Sequence, residues 1–291
     1  MKEKNYPTAP LPFQGQKRNF ISQFKAILEE LKKRQSIDFV VDLFGGSGLL
    51  SRTAKDVFPN TEVIYNDYDD YHKRLLNVDK TNKLLEDLRI LLEDFPRKIR
   101  IEEPYRSSII ERVKQENESG YVDYITLSSS LLFSSKYVLS YEALIKESFY
   151  NNVKTEGYKI DTKRYLNGLK IIKEDYMSLF KAYKDKANVL FLIDPPYLST
   201  DTTTYHSDKY WRLKNYLDVL NTLKTDNYFY FTSSKSQLVE LCEWFERNCG
   251  LMNPFNGSIL RTHQVNGKVV NYTDMMLYKY KGLEKIEKAF K

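Results

Sequence analysis

The stretch Asp194-Pro195-Pro196-Tyr197 combines residue types that can do chemistry at a single point of the chain. An exocyclic amine on a flat base is a poor nucleophile, because its lone pair is conjugated into the ring. Two acceptors on its hydrogens pull it toward tetrahedral geometry. Asp194 and the Pro195 carbonyl are such acceptors, and Tyr197 offers a face on which a base stacks. The prolines lack N–H groups and hold φ near one value, so the turn is stiff. The chemistry that suits this group is alkylation of the amine, with positioning lowering much of the barrier. A strand-terminating Asp-Pro turn is the other reading, and the rest of the chain decides between them.

The elements that must position this group come next. Val189 to Ile193 has no polar alternation and reads as a strand buried on both faces of a parallel sheet. Its carboxyl end is where ligands bind in open α/β sheets. Asp38 to Phe44 reads as another strand, and Gly45-Gly46-Ser47-Gly48 leads into a helical stretch, Leu49 to Phe58. Strand, glycine-rich turn and helix amino terminus make a nucleotide-type site. Gly46, Gly48 and Ser51 occupy the places of G-x-G-x-x-G, so the third glycine of the hydride-cofactor fingerprint is missing and a different adenosine cofactor is indicated. Glu62 to Asn66 is a further strand, ending at Asp67. Asp67 is placed either to accept ribose hydroxyls or to cap a helix starting near Asp69. Upstream, Pro7 to Asn19 is irregular and contains Pro12-Phe13-Gln14-Gly15-Gln16-Lys17, in which Gly15 permits close backbone approach and Lys17 reaches an anion. A helix follows, with Phe20, Phe24, Ile27, Leu28 and Leu31 at helical spacing.

Pro-Phe-x-Gly-x-Lys, then Asp-x-Phe-x-Gly-Ser-Gly, then a strand ending in Asp, then Asp-Pro-Pro-Tyr resembles the Dam-like N6-adenine DNA methyltransferases of the alpha-order amino-methyltransferase group. The resemblance covers about residues 10 to 67 and 171 to 280. It implies S-adenosylmethionine as cofactor and a Rossmann-like α/β fold: a seven-stranded, mostly parallel sheet with one antiparallel strand, plus a smaller, mainly helical target-recognition region. Carried onto this sequence, it gives Phe13, Gly15 and Lys17 the methionine end, Asp42 its amino group, and Phe44, Gly46 and Gly48 the cofactor backbone. It gives Asp67 the ribose, Asp175 with Tyr176 the adenine, and Asp194, Pro195, Pro196 and Tyr197 the target base. Asp175 is equally placed to cap the helix that runs to Tyr183. The reaction implied is methylation at N6 of an adenine in double-stranded DNA. Cytosine-N4 methylation, RNA adenine methylation and a silent DNA-binding homologue are the alternatives. An initial Ser in place of Asp194 would favour cytosine.

The catalytic domain is expected at 1–75 and 169–291, with an inserted recognition region at 76–168. Residues 70 to 118 have helical spacing at Leu84, Leu85, Leu88 and Leu91, and their charges read as a solvated face. Between 142 and 173 seven basic residues meet four acids, with Tyr150, Tyr158 and Tyr165 interleaved. DNA contact is expected from Lys154, Lys159, Lys163 and Arg164, with base-edge readout from Arg164, Asn151 or Asn152. The hairpin pattern of GATC-reading members is not found. Ser199 to His206 is rich in hydroxyls and suits a loop over an extruded base, with Tyr205 as a DNA contact. Tyr228 to Thr232 reads as a strand, Leu238 to Asn248 as a helix, and 261 to 280 as a terminal hairpin.

Composition sets the outer bounds. A net charge of +6 leans toward a polyanionic partner, although 23 tyrosines among many lysines also fit a compositional bias. No apolar stretch approaches the roughly 20 residues of a membrane helix, and the amino terminus has no secretory pattern, so a cytoplasmic protein is expected, with monomer plausible. Cys242 and Cys249 lack the spacing or histidines of a metal site.

Overall fold

The computed structural model describes residues 6–133, 136–197, 211–266 and 271–282; the hydroxyl-rich stretch 199–206, with Tyr205, lies outside them. In chain order the elements begin α1 (Ile21–Arg34), β1 (Phe39–Asp42), α2 (Leu49–Val57) and β2 (Glu62–Asn66). Helices α3 (Tyr71–Leu76), α4 (Val78–Leu91), α5 (Tyr105–Ser119), α6 (Tyr124–Leu131) and α7 (Tyr141–Leu144) follow. The chain then runs through β3 (Lys170–Ile172), α8 (Tyr176–Tyr183), β4 (Val189–Ile193) and α9 (Leu213–Val219). It continues with β5 (Tyr228–Ser233), α10 (Leu238–Cys249), β6 (Ile259–Val265) and β7 (Tyr272–Lys279).

The seven strands form one sheet in the order β3-β2-β1-β4-β5-β7-β6. Strands β1 to β5 are parallel, and β7 enters antiparallel between β5 and β6. The order therefore reverses between β1 and β4, the switch point where a crevice opens at the carboxyl ends. Both faces are covered. On one, Phe24, Leu28 and Leu31 of α1 and Ala54 and Val57 of α2 pack on Val40, Leu190, Leu192, Phe229 and Phe231. On the other, Leu179, Phe180, Val219 and Leu238 pack on Val41, Phe191, Ile193 and Tyr230. All five residues of β4 are buried, as the unbroken apolar run requires.

The chain divides into two units. One comprises Lys17–Asp69 and the chain from Gly168, and holds the sheet; the other comprises Thr8–Gln16 and Asp70–Asn167. This division differs from the expected boundaries at 75/76 and 168/169 in assigning Thr8–Gln16 and residues 70–75 to the second unit.

Within the second unit, Leu84, Leu85 and Leu88 of α4 are buried, as are Ile109 and Val113 of α5. Segment 98–101 pairs with 149–151 through Lys98 N to Asn151 O at 2.8 Å and Ile101 N to Phe149 O at 2.8 Å. The far side of that segment meets the end of α6, where Tyr150 N donates to Leu131 O at 2.7 Å. Thr8–Gln16 is held by α3: Leu11 N donates to Tyr71 Oη at 2.9 Å, and Arg74 Nη2 to Pro12 O at 2.8 Å. Arg74 is itself fixed by the buried Asp123, Nε to Oδ1 at 2.9 Å, and Asp123 caps α6 by accepting from Thr126 N at 3.0 Å. Removing one member of such a buried pair leaves an uncompensated charge, which makes it an anchor for the loop. Among the described residues no helix is long and apolar enough to cross a membrane.

Candidate active site

Asp42 ends β1 and is fully buried, with its Oδ2 accepting from Ser51 Oγ at 2.6 Å. Ser51 stands where the hydride fingerprint has its third glycine, so that departure supplies a hydroxyl to the carboxylate. Among the described residues Asp42 Oδ1 has no hydrogen-bond partner, although the Phe44 backbone N–H also lowers this carboxyl. Burial, with Asp194 nearby, pushes the Asp42 carboxyl up to about 7 against the lowering effect of the Ser51 bond.

The turn that follows is fitted to β2. A Cβ on Gly45 would sit 2.3 Å from the Tyr65 ring and 2.7 Å from Asn66 O, so only glycine fits there. Gly48 takes φ 70° and opens α2. Tyr65 Oη lies 2.6 Å from Gly46 O and 3.1 Å from Asp67 Oδ1, tying the turn to the tip of β2. Asn66 stitches the same edge, its Nδ2 donating to Leu43 O at 3.0 Å and Glu174 O at 2.9 Å. Asp67 is buried, and the next helix starts later than expected: α3 begins at Tyr71, with Asp70 before it in the left-handed region. Asp175 does cap α8, its Oδ1 accepting from Met177 N at 3.0 Å and Ser178 N at 2.9 Å. Beside it, Phe44 and Tyr176 pack at 4.8 Å, and Trp211 lies 6.0 Å from the former and 5.9 Å from the latter.

Asp194 follows β4 directly. Its Oδ2 is 2.7 Å from Lys17 Nζ, the lysine being 8% and the aspartate 17% exposed. Lys17 Nζ also lies 5.2 Å from the centre of the Tyr197 ring, whose backbone carbonyl accepts from Tyr216 Oη at 3.3 Å. Burial pushes the Asp194 carboxyl up to about 6, opposed by the Lys17 ammonium. By strand alternation Asp42 and Asp194 continue the face of Val40, Leu190 and Leu192 toward α1. The half-buried Asp274 of β7 stands opposite Ser233 of β5 and His263 of β6, and burial raises its carboxyl while Lys17 lowers it. Three carboxylates thus feel one lysine at the carboxyl edge of the sheet.

The fold brings Lys17, Asp42, Phe44, Gly46, Gly48, Asp67, Asp175, Tyr176 and Asp194 to Tyr197 into the sheet-bearing unit, whereas Phe13 and Gly15 belong to the other. In that second unit Phe13 packs edge-on to Tyr71 at 5.8 Å. Of the expected DNA contacts there, Lys159 and Arg164 are exposed, Lys154 lies 4.3 Å over the Tyr158 ring, and Lys163 is paired with Asp79. Asn151 is buried with its Nδ2 on Phe95 O at 2.9 Å, and Asn152 Nδ2 is on Leu132 O at 3.1 Å. The sequence reading missed Ser51, Tyr65, Asn66, Trp211, Tyr216 and Asp274; only Ser51, in a glycine's place, carried a local signal.

Two comparisons with known proteins bear on this arrangement. A Haemophilus influenzae protein described as "Putative methyltransferase" is 33% identical over 284 residues, covering 96% of this chain and 94% of that one. The family model for D12 class N6 adenine-specific DNA methyltransferases matches residues 13–256, from the Phe13 motif past Asp194 and the strand beside it. The chain belongs to the D12 class N6 adenine-specific DNA methyltransferase family.

Proposed function

We propose that the protein transfers a methyl group from S-adenosylmethionine to N6 of an adenine extruded from double-stranded DNA. The observation that carries this reading is the buried Asp42 Oδ1, an acceptor without a hydrogen-bond partner among the described residues, on the same sheet face and edge as Asp194. A buried carboxylate with a free lone pair fits an ammonium group. A glycine turn that excludes side chains and opens a helix fits a nucleoside cofactor. Asp42 would take the amino group, Gly46 and Gly48 the cofactor backbone, Asp67 the ribose, and Phe44 with Tyr176 the adenine. The bound cofactor supplies an electrophilic methyl group on a sulfonium.

The chain's own residues do the rest. The amine is inaccessible in a stacked duplex, so the base leaves the helix. Tyr197 stacks on it, and the Pro195 carbonyl and Asp194 hold its hydrogens. Lys17 occupies Asp194 Oδ2, which leaves Oδ1 for the amine. Lys17 also keeps Asp194 ionised near neutral pH, so a negative charge is in place when the amine becomes cationic.

Labelled S-adenosylmethionine with unmethylated genomic DNA, followed by nucleoside digestion, tests the reading. Label in N6-methyladenine, lost in Asp194→Ala, is the expected result. Label in N4-methylcytosine, label only with RNA, or no label with DNA binding retained would each replace it.

A further inference from the structure

The second unit carries a surface that the motifs do not explain. Arg97-Lys98-Ile99-Arg100 is exposed at all four positions. The segment is held in place by its pairing with Phe149–Asn151, and Arg97 Nη1 donates to the Val153 carbonyl. Tyr150, bonded on its other side to Leu131, brings a second exposed residue to the same place: the Phe133 ring lies 5.6 Å from the Tyr150 ring. Phe133 is 63% exposed and Ile99 53%, an unusual exposure for two large apolar groups flanking one tyrosine.

Some cations of this unit meet acids, as Lys163 meets Asp79, Arg112 meets Asp87 and Glu116, and Lys136 meets Glu147. Arg97, Lys98 and Arg100 meet no carboxylate among the described residues. Glu103, close in sequence, is engaged with Ser107 Oγ at 2.6 Å. Unpaired cations beside exposed apolar and aromatic groups match a ligand that presents phosphates next to stackable bases. An acidic protein would use the cations but not the wedge-shaped pair.

We propose that the face formed by Arg97, Lys98, Ile99, Arg100, Phe133 and Tyr150 is a double-stranded DNA contact surface, with the cations on phosphates and Phe133 against the bases. This rests on the DNA reading above and names where the second unit engages its substrate.

Sheared unmethylated genomic DNA is the probe, with affinity measured across a salt series. The triple variant Arg97→Ala, Lys98→Ala, Arg100→Ala should lose about 100-fold in affinity at moderate salt. The slope of log K against log salt should shrink by roughly 2 to 3, since each phosphate contact contributes about 0.9. Binding of S-adenosylhomocysteine and the melting temperature should not change. Phe133→Ala should weaken binding about 10-fold with the salt slope intact, and Phe133→Trp should restore it with emission quenched by DNA. A triple variant with the wild-type slope, from a wild type that binds and methylates DNA, overturns the surface and leaves the function standing. A wild type that neither binds nor methylates DNA overturns the function and the surface with it.

Discussion

Asp42 and Asp194 follow from adjacent parallel strands onto the same face of one sheet, yet they are held in different ways. Asp42 is fully buried against a neutral hydroxyl, with one oxygen left without a hydrogen-bond partner among the described residues. Asp194 is 17% exposed and has an ammonium at 2.7 Å. Burial is the leading cause of the upward shift in both, to about 7 in the first and about 6 in the second. A neutral partner leaves a carboxyl waiting for a cationic ligand to fix its charge. A built-in cation fixes it beforehand. In the proposed reading, the binding half of the site is completed by its ligand, while the reacting half is preorganised.

The sign of the pH dependence follows. Both carboxyls lie above their ordinary value of 3.8, so their contribution to folding is fully present below that pH and lost as pH rises through about 6 for Asp194 and about 7 for Asp42. A cationic ligand on Asp42 favours the carboxylate. Cofactor affinity should therefore rise as pH rises through about 7 and level off above it.

The comparison breaks most visibly at Asp194. Asp194→Asn keeps the shape and removes the charge, and should cost roughly 10²- to 10³-fold in single-turnover methyl transfer. Activity within a few-fold of wild type would show that a preset charge is not what the reacting half needs. Lys17→Met should push the Asp194 carboxyl higher. The acid limb of the rate profile then moves above pH 6, with about a 10-fold loss at pH 7 that recovers near pH 9, while S-adenosylhomocysteine affinity holds. A lost affinity with an unmoved profile would instead assign Lys17 to the cofactor's methionine end. Asp42→Asn should weaken cofactor binding about 10-fold, the scale of one charged hydrogen bond. It should also abolish the pH dependence of that affinity and raise the melting temperature at pH 8 by a few degrees. Tyr65→Phe should have the smallest effect: roughly a 3-fold loss of cofactor affinity, with the rate at saturation unchanged, because it removes the hydroxyl's bonds to Gly46 O and Asp67 Oδ1 together.

The pieces of this site differ in how far sequence could reveal them. Strand β4 is legible because five apolar residues in a row admit few other readings, and the glycine turn because three glycines in four residues follow a strand and precede a helix. Partnership across the fold is not legible. Lys17 looks like an anion ligand beside Gly15, and only the folded chain sets it against an aspartate from a distant strand. Tyr65 reads as one of several β-forming residues, since nothing local shows where its hydroxyl points. Asn151 and Asn152 look available for base edges, yet their amides are bound to backbone carbonyls. Arg97 to Arg100 looks like any solvated charged run flanked by acids, and only the folded chain shows that no described carboxylate pairs with it.

The aromatic packing beside the glycine turn also makes the protein its own optical instrument. The chain has two tryptophans. Trp211 is half-buried among Phe44, Tyr176 and Tyr216, with the last ring at 5.1 Å, whereas Trp244 is 51% exposed on α10. Emission from the first should be blue-shifted and fed by its tyrosine neighbours, and emission from the second red-shifted and open to iodide quenching. Trp244→Phe, at an exposed position on α10, leaves a single tryptophan, whose emission should change if a ligand stacks beside Phe44 and Tyr176.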